Sequence, residues 1–217
     1  MQPALWILSG GASGAVCGCG ALHWSHCLLR TRGRKEILPR STQYLLILAA
    51  AVCGGAIGFC TGEWLPMAIL LAVLTVGITV SVSDWLCRLI PNPTVLGLFV
   101  LKLILITASL LKLPGAPAFS LLSSLGGMVF CFLLFSAPGL VGKQVGAGDI
   151  KLAAAIGFLL EFQGALLAVV GMGILVLGYC AMQRKMPLLM FLKTDIPMGP
   201  FIMGGAMFAC MLPYLTL

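Results

Sequence analysis

The chain has 217 residues, 60% of them hydrophobic and only 9% charged, with a formal net charge of +7 and a mean hydropathy of +1.11. Soluble domains carry roughly 25% charged residues, so this composition excludes a water-facing surface and with it a separate soluble domain. No nucleic-acid partner is needed to explain the basic balance, because there is no domain to shape a surface around one.

One helical span takes about 20 apolar residues, and helices keep their backbone hydrogen bonds internal in lipid. The expectation is an all-α fold: a single polytopic membrane bundle over 1–217 with about eight transmembrane helices. The first span is predicted at about 4–29. Met1, Gln2, Pro3 and Ala4 supply no basic stretch ahead of it, so it reads as a span and not as a cleavable signal peptide. A short basic loop follows, completing a segment 4–42. Further spans are expected at 43–61, 64–83, 94–112 and 118–138.

The apolar run from Ile150 to Met182 is too long for one crossing. Its 33 residues would make a helix of about 50 Å against a hydrocarbon core of about 30 Å. Glu161-Phe162-Gln163-Gly164 is a polar, turn-compatible interruption, so the run divides into helices at about 150–161 and 164–183. A last span covers 198–216. With eight spans, loops 30–42, 84–93, 139–151 and 184–197 share one side and hold 11 of the 13 Lys and Arg residues. The positive-inside rule makes that side cytoplasmic. The cluster from Arg30 to Arg40 is placed to rest on anionic headgroups.

Nine cysteines lie mostly within apolar runs, where they act as small hydrophobes, and imply no disulfide framework. Cys19, His23, His26 and Cys27 share one helical face, with Cys17 nearby. Zinc sites usually draw ligands from more than one element, so packing is the expected role and no metal is assigned. Lys102, inside the fourth span, is expected to snorkel or to face a polar cavity.

Only six carboxylates exist. Glu36, Glu63 and Glu161 fall in expected loops or turns, where a solvated carboxylate costs little. Asp84, Asp149 and Asp195 fall at helix edges on the expected cytoplasmic side. Asp84 follows the third span and reads either as a solvated helix-end residue paired with Arg88 four positions on or as a functional group at the membrane edge. Asp149, in Gly146-Ala147-Gly148-Asp149-Ile150-Lys151-Leu152, sits where an N-cap would. Gly146 and Gly148 let the backbone turn sharply before it. The P-loop pattern and the full G-x-G-x-x-G are absent. Two carboxylates that approach each other do not both ionise easily. One then takes a proton from water while the other polarises a carbonyl, which is aspartic-protease chemistry.

These residues resemble the prepilin peptidases, or type IV leader peptidases, of the G-x-G-D group of intramembrane aspartic proteases. Three blocks carry the likeness: Asp84 with Arg88-Leu89-Ile90-Pro91-Asn92, the segment Gly146 to Leu152, and Ile196-Pro197-Met198-Gly199-Pro200-Phe201. The resemblance covers about 64–217 and marks 43–217 as a peptidase core. It implies a bacterial inner-membrane endopeptidase that removes the leader from type IV prepilins or type II secretion pseudopilins at the cytoplasmic face. Asp84 and Asp149 would be its catalytic dyad, with Gly146 and Gly148 shaping the loop that presents Asp149. Lys151 and Arg88 are auxiliary candidates near the two aspartates. Many members carry two Cys-x-x-Cys pairs between the first two spans and methylate the new N-terminus with S-adenosylmethionine. Here that loop, Arg30 to Thr42, holds no cysteine. The expectation is peptidase activity without a cofactor and without methylation. The alternative is a non-enzymatic membrane component such as a channel, a transporter subunit or an assembly factor.

Overall fold

A computed structural model describes residues 3–33, 38–112, 116–140, 146–182 and 197–215. All regular structure among them is helical: α1 (Pro3–Thr31), α2 (Arg40–Thr61), α3 (Trp64–Cys87), α4 (Asn92–Lys112), α5 (Ala116–Leu140), α6 (Ala147–Met182) and α7 (Gly199–Leu215). The chain is an all-α helical membrane bundle, and α1, α2, α3, α5 and α6 are each long and apolar enough to cross a bilayer. Large apolar side chains point outward, as at Val16 and Leu177, because lipid, unlike water, accepts them. By internal packing the residues form two units, 1–94 with 210–217, and 95–209.

The first unit is built on small residues. Gly10, Gly14 and Gly18 recur every four positions on the buried face of α1. Opposite them lie Ala50, Gly54 and Gly58 of α2. A Cβ added at Gly14 would stand 2.9 Å from the Gly54 Cα, and one at Gly54 would stand 2.7 Å from the Gly14 Cα. In lipid there is no hydrophobic drive between helices, so backbones brought close by glycine supply the packing. The pairs Gly10–Gly58 and Gly18–Ala50 make α1 and α2 antiparallel. The pairs Trp6–Trp64, with ring centroids 4.7 Å apart, and Ala21–Thr79 make α3 parallel to α1. One inward stripe of α3 runs through Val73, Val76, Val80, Ser83 and Asp84.

In the second unit α6 is a hairpin of two helical arms. Helical backbone runs on both sides of Glu161, but Glu161 itself has φ 64° and ψ 179°. Ala153 and Ala165 both pack with Cys131 of α5, although a straight helix would separate them by about 18 Å. Ala153 and Ile156 of the first arm also line one apolar crevice with Ala168 and Met172 of the second. The predicted division of 150–182 is therefore present, with its corner at Glu161. The helix starts earlier than expected, at Ala147. Residues Leu152 to Leu159 of the first arm are all buried, the pattern of a helix surrounded on every side.

Contacts fix the directions of these segments. Lys102 meets Glu161 and Phe99 meets Phe158, so α4 runs parallel to the first arm. Ser120 meets Glu161 while Gly127 meets Gly157, so α5 runs antiparallel to it. Tyr179–Phe201 and Gly171–Phe208 make α7 antiparallel to the second arm.

Candidate active site

Asp84 does not follow the third span, as the sequence pattern suggests, but lies within it. Helix α3 continues through Cys87, and Asp84 occupies its last turn with 5% of its surface exposed. The expected end of the span at residue 83 falls one turn short of the observed one. In the structure Ser83 Oγ donates to the Thr79 carbonyl at 2.7 Å, satisfying its hydroxyl inside the helix. The turn then closes at Arg88, whose N–H donates to the Asp84 carbonyl at 2.8 Å. Arg88 takes a left-handed conformation, φ 50° and ψ 44°, uncommon for a side-chain-bearing residue. Its side chain is exposed. Pro91 ends the connection: its carbonyl accepts from the Thr94 hydroxyl at 2.6 Å as α4 begins.

Asp149 is not an N-cap. Helix α6 begins at Ala147, so Asp149 stands in its first turn and Gly148 is helical instead of part of a loop. Gly146 takes the cap position. Its carbonyl accepts from the N–H groups of Asp149 at 3.0 Å and Ile150 at 3.3 Å. A carboxylate in the first turn is favoured by the partial positive charge of the helix N-terminus. Gly146 also makes room for that carboxylate, since a Cβ there would stand 2.7 Å from Asp149 Oδ2. Two of the predicted site residues, Gly146 and Asp149, are thus brought together. Lys151 lies one helical position past Ile150 and is exposed. Asp84 belongs to the first unit and Asp149 to the second.

Glu161 departs from the sequence expectation, since it is not a solvated turn carboxylate, and of the two expectations for Lys102, snorkelling or a polar interior, the structure shows polar partners inside the protein. Lys102 is buried, and its Nζ donates to Glu161 Oε1 at 2.8 Å. Ser120 Oγ donates to the same oxygen at 2.6 Å. The next residue is held as well, with the Phe162 N–H donating to Ser123 Oγ at 3.4 Å. The signal available in the sequence is a lone lysine deep in one apolar run and a lone glutamate interrupting another. Their separation of 59 positions hides the pairing.

Among the described residues, no three His, Cys, Asp or Glu side chains form a group placed to hold a metal ion. Glu36, Lys193, Asp195 and Ile196 lie outside the described residues. Pro197 and Met198 lead into α7, where the Met198 carbonyl accepts from Phe201 and Ile202 at 3.1 and 3.0 Å.

No curated protein and no solved structure matches the chain. The model of the type IV leader peptidase family matches residues 69–181, just over half of the length. The match includes Asp84, Asp149, Lys102 and Glu161 and ends before the block at 196–201. The chain therefore belongs to the type IV leader peptidase family.

Proposed function

We propose that this membrane protein is an aspartic endopeptidase that removes the leader from type IV prepilins or pseudopilins at the cytoplasmic face of a bacterial inner membrane. Asp84 and Asp149 are its catalytic pair. The observation that carries this reading is the family match. Its span, 69–181, contains three carboxylates, Asp84, Asp149 and Glu161. Glu161 is bound by Lys102 and Ser120, and the resemblance assigns the reacting carboxylates to Asp84 and Asp149. Within its own unit, Asp84 stands in the last turn of α3, and within the other Asp149 stands in the first turn of α6, both helix ends as the reading requires. The cytoplasmic face is supported by the charge bias, with Arg88 close to Asp84 and Lys151 close to Asp149 in the chain.

The pair would share one proton. The ionised carboxylate takes a proton from a water as the water oxygen bonds to the scissile carbonyl carbon. The protonated carboxyl hydrogen-bonds to the carbonyl oxygen as it gains charge. The tetrahedral intermediate collapses with cleavage of the C–N bond, a carboxyl proton passing to the leaving nitrogen, and the pair regains its shared proton. A basic leader suits a face rich in lipid phosphates, while the apolar stem of such a substrate stays in the bilayer.

Co-expression with a prepilin tests this reading. Wild type should shorten the substrate by its leader, and Asp84→Asn and Asp149→Asn should each leave it full length while still inserting in the membrane. Continued processing by either variant would refute the assignment. Mass measurement of the new N-terminus tests the expected lack of methylation, since an added methyl group would overturn it.

A further inference from the structure

Glu161 combines two features that a merely accommodated residue does not need. Its backbone, φ 64° and ψ 179°, lies in a region almost confined to glycine. Its side chain meanwhile accepts from Lys102 and Ser120 on a single oxygen. A glycine would relax the backbone but could not make the bonds, so the residue type points to the bonds. The neighbouring packing is close as well. A Cβ on Gly127 of α5 would stand 2.8 Å from the Glu161 carbonyl oxygen, and one on Gly157 would stand 3.0 Å from Cys131 Sγ. The corner of the hairpin is thus held to α4 through Lys102 and to α5 through Ser120, Ser123 and Gly127.

Depth makes these bonds matter. Lys102 is ten residues into α4, about 15 Å from its start, and Glu161 is about 21 Å from the start of α6. The two helices are parallel, so both groups lie far from the end at which Asp149 stands. Charged groups at such depth are expensive and mark function by default.

We propose that Lys102, Glu161 and Ser120 form a lock that fixes the corner between the arms of α6 and so positions Asp149 at the other end of the first arm. This inference rests on the reading of Asp149 as catalytic. Lys102 and Glu161 are positioning residues in it, since neither touches the reacting atoms. The arm acts as a lever. Asp149 is twelve residues from the corner, about 18 Å, so a tilt of about 3° moves its carboxylate by about 1 Å. Misplacement of that size costs on the order of 100-fold in rate.

The test uses the full chain in lipid nanodiscs, with its cysteines replaced and spin labels at Ala147→Cys and Leu177→Cys, both at exposed positions. Distance distributions between the labels report the angle of the hairpin without any substrate. Cleavage of a prepilin by the unlabelled chain supplies kcat and KM. Glu161→Gly keeps the backbone comfortable and removes the bonds. The expected result is a broadened distance distribution and a kcat at least tenfold lower, with KM within twofold. Lys102→Arg keeps a donor for Glu161 and should retain a narrow distribution and most of the activity. If Glu161→Gly fails to fold, the double variant Lys102→Met/Glu161→Gly removes the same bonds without an orphaned charge.

An unchanged distance distribution overturns the lock. So does a broadened distribution with unchanged kcat, because the corner would then not govern Asp149. If the wild type cleaves no prepilin, the proposed function fails, and the distances alone then decide whether the lock exists.

Discussion

Replacing Gly146 by alanine adds one methyl group at a place where the structure allows its effect to be worked out. The new Cβ would stand 2.7 Å from Asp149 Oδ2 and 3.6 Å from its carboxyl carbon. An ordinary contact begins near 3.4 Å, so the oxygen must retreat by about 0.7 Å. The obstacle is the far end of a rotatable side chain, so the fold gives way cheaply there. Losing glycine at a cap in favour of alanine costs about 1 kcal/mol or less of helix stability. With Asp149 in its proposed role, the catalytic cost is larger. A shift approaching 1 Å in a reacting group lowers the rate by about 10- to 100-fold, or about 1.4 to 2.7 kcal/mol of barrier. Steady-state cleavage of a prepilin in proteoliposomes should therefore show kcat down by that factor and KM little changed. Thermal unfolding in detergent should move by no more than a few degrees. Wild-type kcat in Gly146→Ala would refute the reasoning, because the carboxylate would have been displaced without consequence for the reaction.

Three other outcomes are expected. In a cysteine-free background, Asp84→Cys/Asp149→Cys should be joined by a short bis-maleimide, read as a cross-linked peptide by mass spectrometry; no cross-link, with or without a bound prepilin, would count against the dyad. Gly14→Leu places a branched side chain where even a Cβ stands 2.9 Å from the Gly54 Cα, and overpacking of this kind costs about 1–3 kcal/mol or more; unfolding in mixed micelles should show the loss, and an unaltered midpoint would mean the α1–α2 interface is looser than described. Lys102→Met leaves the Glu161 carboxylate without its cation, which for a buried pair costs about 3–5 kcal/mol, reduced here because the Glu161 side chain is 35% exposed. Adding Glu161→Gln should restore much of that loss, and a double variant no more stable than Lys102→Met would exclude coupling between the two.

What could be read from the sequence was what rests on composition and on local breaks. Apolar runs and scarce charge pointed to a helical membrane bundle, and the Glu161–Gly164 interruption located the division of 150–182 to within a few residues. The motif around Asp149 led to the right family. The helix ends were less legible. The apolar run of the third span ends at about residue 83, yet the Thr79 carbonyl one turn back accepts the Ser83 hydroxyl, and α3 carries Asp84 in its last turn. At α6 the glycines suggested a loop reaching to Asp149, but the Gly146 carbonyl starts the helix before it. Least legible was the pair Lys102–Glu161. Periodicity describes one helix at a time, and which helices face one another is decided by packing, here by the contact of Phe99 on α4 with Phe158 on the first arm of α6.

The short first arm also explains why a charged pair belongs at the hairpin corner. From Ala147 to Leu160 it is about 21 Å long, less than the roughly 30 Å of hydrocarbon. A hairpin that turns at this depth exposes the carbonyls ending one arm and the N–H groups opening the next, with no bulk water to receive them. Glycine or asparagine would make the turn but would not tie it to its neighbours. Glu161 makes the turn while its side chain joins the corner to two adjacent helices, and the Ser123 hydroxyl accepts the N–H of Phe162. The arm therefore has polar anchors at both ends and apolar packing on every side between them.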